Sequence, residues 1–393
     1  MQITRRALLA TGLALPLVSG LPALAQRSSP RLRPLRDIVR SPIIDVHAHL
    51  APPAWSGVAP APPRSFTREQ LAADLARNPY IEVPDPAGIV ARDYDRLLRF
   101  EAARADGTMA TSAAFLIAEM DAAGIDISVN NCLDEVGRPF GRPLAVPTER
   151  VLEEIAAVAA RYPGRIVNFF GIDPRRGRDG IALLRRAVTE FGVCGMGEWL
   201  THRWKVFPND RAVAYPYLAA CAELGIPYGN NGSGVDATQA PEVFADILRD
   251  FPTLKVVHQA AGLLTEAERR DHPAQADLPE RLLALAEKHD NFWLDIDDWQ
   301  RLDDAGRART AKFLRRAFDG PAAGRIMFGT DFPIFTRTVS AAKFIESIVG
   351  PAAGEGGLLT ERELTMLFST NALRFLDGPR APSFIRTAAR ALR

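Results

Sequence analysis

The residues best placed to do chemistry stand together in Asp45-Val46-His47-Ala48-His49. Side chains of an extended strand alternate between faces, so the two imidazoles point to one side and together can hold one metal ion. The chain has only six His, and two of them are here. Asp45 shares their parity and could orient one of these ligands by hydrogen bonding. Far along the chain, Gly329-Thr330-Asp331-Phe332-Pro333 follows an apolar run. Asp331 could ligate the same ion or take a proton from a water bound to it. The plain alternative is a helix N-cap. Glu198, in Gly195-Met196-Gly197-Glu198-Trp199, and His258, after Val256-Val257, are further candidates. Glu198 would point inward or be a solvated rim charge. His258 could be a ligand, a base or a hydrogen-bonded rim residue. Asp295 and Asp297 share a face and could brace a ligand, touch substrate or form a buried network.

Positioning these residues requires a common scaffold, and the apolar pattern supplies one. Short apolar runs occur at residues 42–47, 125–132, 165–172, 193–199, 226–231, 253–258, 291–297 and 325–330. From residue 111 onward an amphipathic helical stretch precedes each run. Strands alternating with helices imply an α/β protein with a parallel sheet, and eight such units imply a (β/α)₈ TIM barrel. Every candidate then falls at the C-terminal end of a strand, where such barrels keep their active sites. A doubly wound open sheet would favour a glycine-rich phosphate loop after the first strand, and DVHAHLAPP is not one. Residues 51–110 are a Pro-rich insertion after strand 1, with one or two helical stretches, of a length usual for a lid.

The 393 residues are 47% hydrophobic and 24% charged, which excludes wholesale disorder. A net charge of +1 gives no electrostatic case for nucleic acid or an anionic membrane as the main partner. Cys132, Cys194 and Cys221 are too few for a disulfide framework and are expected as buried thiols. Residues 1–25 read as a signal peptide: Thr4-Arg5-Arg6-Ala7-Leu8-Leu9 resembles the twin-arginine export signal, and Ala23-Leu24-Ala25 is a small-x-small cleavage pattern. Gly12, Pro16, Gly20 and Pro22 argue against a stable membrane anchor. The expected mature chain starts at Gln26 in the periplasm or outside the cell, with the export machinery as a partner. A basic leader at 26–41, a barrel at 42–378 and a basic tail at 379–393, either a short amphipathic segment or, more simply, solvated, complete the organisation.

The pieces IIDVHAHL, RIMFGTDFP and LTERELTMLFSTNALRFL, spread from about Pro42 to Leu376, resemble the metal-dependent hydrolases of the amidohydrolase superfamily, in particular its amidohydrolase-related branch. The resemblance implies a (β/α)₈ barrel with one or two divalent metals, usually zinc. It implies His47 and His49 as ligands and Asp331 as ligand and proton acceptor. Glu198 resembles the strand-4 Glu of the deoxyribonuclease branch, a ligand or metal bridge. Two positions depart from the pattern. Strand 5 offers Asn230 or Asn231 where the family has His. Counting back from Gly262, Ala260 holds the strand-6 His position, while His258 fits the deoxyribonuclease-like spacing.

Amide oxygen is a weaker ligand than imidazole, so the expectation is one ion, Zn²⁺ before Mn²⁺ or Fe²⁺, held by His47, His49, Asp331 and Glu198. His202 is a spare imidazole. The implied activity is hydrolysis of a small ester, lactone or amide by metal-activated water. Asp331 would act as base then acid, and His258 would assist at the oxyanion or the water. The same branch holds non-hydrolytic decarboxylases of aromatic or muconate-type acids. Trp199, Trp204, Trp293, Trp299 and Arg203 could suit such a planar anion. A degenerate barrel kept as a binding protein is the third reading. The near-zero net charge disfavours a nuclease.

Overall fold

The computed structural model describes residues 34–62, 64–77, 83, 85–134, 144–232, 235–302, 304–350 and 358–392. The expected signal peptide, and the leader up to residue 33, lie outside the described residues. Eight apolar runs become strands: β1 (Ile44–Ala48), β2 (Ile127–Leu133), β3 (Ile166–Gly171), β4 (Met196–Trp199), β5 (Tyr228–Asn230), β6 (Val256–His258), β7 (Phe292–Asp295) and β8 (Ile326–Met327). Parallel ladders join β1-β2-β3 and β4-β5-β6-β7-β8 in chain order. Backbone bonds from Cys194 N to Asn168 O (2.9 Å) and from Phe170 N to Gly195 O (3.1 Å) link the two sets. Val46 N to Phe328 O (3.0 Å) and His49 N to Phe332 O (2.6 Å) close the ring between β8 and β1. The result is the expected eight-stranded parallel barrel.

Period-two alternation divides the strand residues between two cores. Val46, Val129, Val167, Phe169, Val257, Trp293 and Met327 form the inner one. Phe170, Met196, Tyr228, Phe292 and Phe328 face the helices and meet Phe244, Leu282, Phe344 and Phe368. The three Cys are free and buried.

One segment differs from the sequence reading. The C-terminal residues do not form a solvated tail. Helix Ser383–Arg390 buries Ile385 and Ala389 in the inner cluster, beside Leu373, Phe375 and Leu376. Lys255, at the foot of β6, donates to the carbonyls of Arg374 and Asp377 at 2.6 Å each. Phe384, Ile385, Ala388 and Ala389 line one helical face in the sequence, but where that face docks depends on the barrel. Among the described residues the insertion holds two α-helices, within the one or two expected. Helices Arg68–Leu75 and Pro86–Asp106 pack Leu71, Leu75, Val90 and Leu97 into a small core of their own. Pro86 sits at the start of its helix, where a missing N–H costs nothing. Arg96 donates to Thr336 O at 2.5 Å, and Arg337 pairs with Glu101 at 2.8 Å and with Asp74. The insertion therefore buttresses the loop that begins at Asp331.

Candidate metal centre

The pairing of β1 with β2 shifts register between Asp45 and Ala48. That bulge breaks strict alternation, and Asp45 does not join the imidazoles. Its carboxylate accepts from Thr330 Oγ1 (2.8 Å), Thr330 N (2.9 Å), Ser128 Oγ (3.1 Å) and His47 N (3.1 Å). It ties β1 to its neighbours on both sides. Burial pushes its pKa up to about 6, against the pull of these donors.

His47 and His49 do converge, with their Nε2 atoms 3.1 Å apart. The hydrogen-bond partners on the other ring nitrogens decide what those atoms carry. His49 Nδ1 donates to Asn131 O at 2.6 Å, and a carbonyl only accepts. His47 Nδ1 faces Asp297 Oδ2 at 3.1 Å and Asp295 Oδ2 at 3.3 Å. Each Nδ1 therefore holds a proton, which leaves each Nε2 as the nitrogen that would ligate a metal. Asp331 Oδ1 lies 3.1 Å from His49 Nε2 and 3.8 Å from His47 Nε2. Glu198 brings Oε2 to 3.6 Å from His49 Nε2 and Oε1 to 3.8 Å from His47 Nε2. Two carboxylates and two imidazole nitrogens facing one point need positive charge between them, from imidazole protons or from a bound cation. Imidazole nitrogen with carboxylate oxygen is a donor set for a divalent ion of the zinc or manganese kind. The residues fit a metal. Burial opposes charge on both imidazoles, yet Asp297 and Asp295 raise His47 well above its ordinary pKa, and Asp331 and Glu198 raise His49.

Close backbone approach makes this geometry possible. A Cβ on Gly329 would stand 2.6 Å from His47 Cβ, and one on Gly171 would stand 2.1 Å from Glu198 O. Asp331 itself sits at φ 47°, a left-handed conformation that Asp tolerates better than most residues.

The remaining candidates divide. Asn231 reaches the site and donates from Nδ2 to Glu198 Oε1. Asn230 belongs to a buried network, accepting from Tyr228 (2.7 Å) and Thr201 (3.2 Å). His258 does not reach the cluster. Val257 points into the inner core, so the next side chain turns to the helices, and the His258 ring packs 5.0 Å from Phe244. Burial lowers its pKa to about 4. Gln259 has the inward parity instead and donates to Asn131 Oδ1 at 3.3 Å. His202 lies on the short helix Thr201–Trp204, outside the grouped ligand atoms, and burial lowers its pKa to about 4. The sequence reading passed over Asn131 and Gln259, because an amide amid apolar strand residues carries no distinctive signal.

A parallel barrel with such a cluster at its mouth defines a class of metal-dependent barrel enzymes. The amidohydrolase family model matches residues 44–378, and the chain belongs to that family. No curated protein matches the sequence. Among solved structures, an uncharacterised TIM-barrel protein from Bordetella bronchiseptica is 20% identical, with TM-score 0.52, covering 85% of this chain and 98% of its own. A probable 2-pyrone-4,6-dicarboxylic acid hydrolase from Acinetobacter baumannii, with citric acid bound, is 12% identical, with TM-score 0.51 and the same coverages. A manganese-bound 5-carboxyvanillate decarboxylase from Novosphingobium aromaticivorans is 14% identical, with TM-score 0.50, covering 85% and 97%. These likenesses bear on the fold. The chain is an enzyme of the amidohydrolase type.

Proposed function

We propose that the chain is a single-metal hydrolase of a neutral carbonyl compound: a small ester, lactone or amide. The observation that carries the reading is the convergence of the His47 and His49 Nε2 atoms with the Asp331 carboxylate. A divalent cation, zinc before manganese or iron, would supply Lewis-acid polarisation and a nucleophile at neutral pH. His47 and His49 would hold it through Nε2, with Asp331 and Glu198 as carboxylate partners. The Asp331 side chain is 14% exposed, the most open of the four, and is the group to take a proton from attacking water and return it to the leaving group. His258 has no part in this scheme.

Charge favours a neutral substrate over an aromatic acid. Glu198, Asp295, Asp297 and Asp331 crowd one site, and among the described residues their ion pairs are with His47 and His49 alone. A bound divalent cation would offset part of that charge, and among the described residues no Lys or Arg pairs with these carboxylates to seat a substrate carboxylate. The test is to load the protein with Zn²⁺, Mn²⁺ or Fe²⁺ and offer esters, lactones and amides beside aromatic acids. Metal-dependent hydrolysis, lost in Asp331→Asn, is the expected result. CO₂ release from an acid without hydrolysis would replace the proposal with a decarboxylase.

We also propose export through the twin-arginine route. The Arg5-Arg6 motif and the Ala23-Leu24-Ala25 cleavage pattern support it. Intact-mass measurement of the exported chain should place its first residue at Gln26, and an uncleaved chain would contradict the reading.

A further inference from the structure

We infer that Asn131 and Gln259 are positioning residues for the His47 and His49 pair, an inference that rests on the single-metal reading. Val46 and His47 fall within the register shift and have no partner residue in β2. Asn131 fills that gap from both sides. Its Nδ2 donates to Val46 O at 3.1 Å, and its main-chain carbonyl accepts from His49 Nδ1 at 2.6 Å. One residue thus secures the carbonyl before the first imidazole and the ring of the second. Bulges commonly re-aim side chains at active sites, and this one is held by a side chain in place of a ladder bond.

An Asn amide can do this only with its nitrogen toward Val46, and Gln259 sets that orientation. Gln259 Nε2 donates to Asn131 Oδ1 at 3.3 Å, reaching from the end of β6 to β2. Both side chains are buried, Gln259 to 1% exposure. Gln259 Oε1 has no hydrogen-bond partner among the described residues. An apolar side chain of the same length would remove that orphan and leave Asn131 Oδ1 unpaired in its place, so stability alone does not favour an apolar residue over Gln259. What Gln259 adds is its hold on Asn131.

The test uses the full chain and the variant Gln259→Met. Three quantities are measured: affinity for Zn²⁺ and Mn²⁺ by chelator competition, the visible spectrum of the Co²⁺-loaded protein, and Tm without metal. Affinity should fall about tenfold, the lower end of the range for groups that orient metal ligands. The Co²⁺ bands should shift as the ligand geometry changes, while the metal-free Tm changes little. Asn131→Asp keeps the acceptor for Gln259 and removes the donor to Val46. It should give the same loss, and the double variant should lose no more than either single one. Wild-type affinity and spectrum in Gln259→Met, with or without a lower Tm, would overturn the inference and leave the single-metal reading standing. A wild-type chain that binds none of these ions would overturn both.

Discussion

Each imidazole owes its direction to a partner on Nδ1, and the two partners differ in kind. His49 leans on a neutral carbonyl at 2.6 Å, whereas His47 leans on two buried carboxylates. An anionic partner makes an imidazole a better donor to metal, so His47 should be the stronger of the two. Burial and the nearby Asp295 hold Asp297 well above its ordinary pKa, while His47 and its other hydrogen bonds keep Asp295 low. Asp297 is thus the member of the pair that keeps a proton, and Asp295 is the anionic partner of His47. Asp297→Asn and Asp295→Asn should each weaken metal binding about 10–100-fold, measured by chelator competition. Unchanged affinity in both would show that His47 needs neither. The pair His47/His49 and Asp331 were legible in the sequence because strand alternation and strand-end position are local properties. The roles of Asp45 and His258 were not, since a bulge in β1 and the inward parity of Val257 are set by neighbouring strands.

The helices around the barrel were legible from residue 111 onward, where one amphipathic stretch precedes each strand. Helix Met109–Ala123 starts within two residues of its expected position, and helix Thr148–Arg161 within one. Docking between helices was not legible, because it depends on which faces meet. Helix Asp304–Asp319 meets helix Glu361–Thr365 through a two-pronged pair, with Arg315 Nη1 to Glu363 Oε2 at 3.0 Å and Nη2 to Oε1 at 2.5 Å. Hydrogen bonding from Arg315 lowers the Glu363 pKa to about 2. A depressed folded-state pKa means the contribution is complete above the unfolded value of about 4.3 and is lost as pH falls toward 2. Glu363→Gln should cost about 1–2 kcal/mol at pH 7, allowing for solvent on the Arg315 side, and much less near pH 2. Urea unfolding at several pH values checks this, and a cost that does not vary with pH would contradict it. At the foot of the barrel, Ile385→Ala should lower stability by about 2–5 kcal/mol, since the side chain is fully buried in the inner cluster. A change below about 0.5 kcal/mol would mean that the terminal helix is not docked in solution.

The whole molecule divides its work between two ends. The foot is closed by apolar packing that includes the C-terminal helix, and the mouth carries the carboxylates and imidazoles. The Pro86–Asp106 helix braces the Asp331 loop through Arg96 and Arg337. The rigid barrel supplies the fixed distances that a metal centre needs, and the loops leave room for substrate choice. Metal content per chain tests this account most directly, measured on the purified wild-type protein beside a His47→Ala/His49→Ala double variant. About one equivalent in the wild type and none in the variant is the result the account predicts. Equal metal in both, or none in the wild type after reconstitution with Zn²⁺, Mn²⁺ and Fe²⁺, would contradict it.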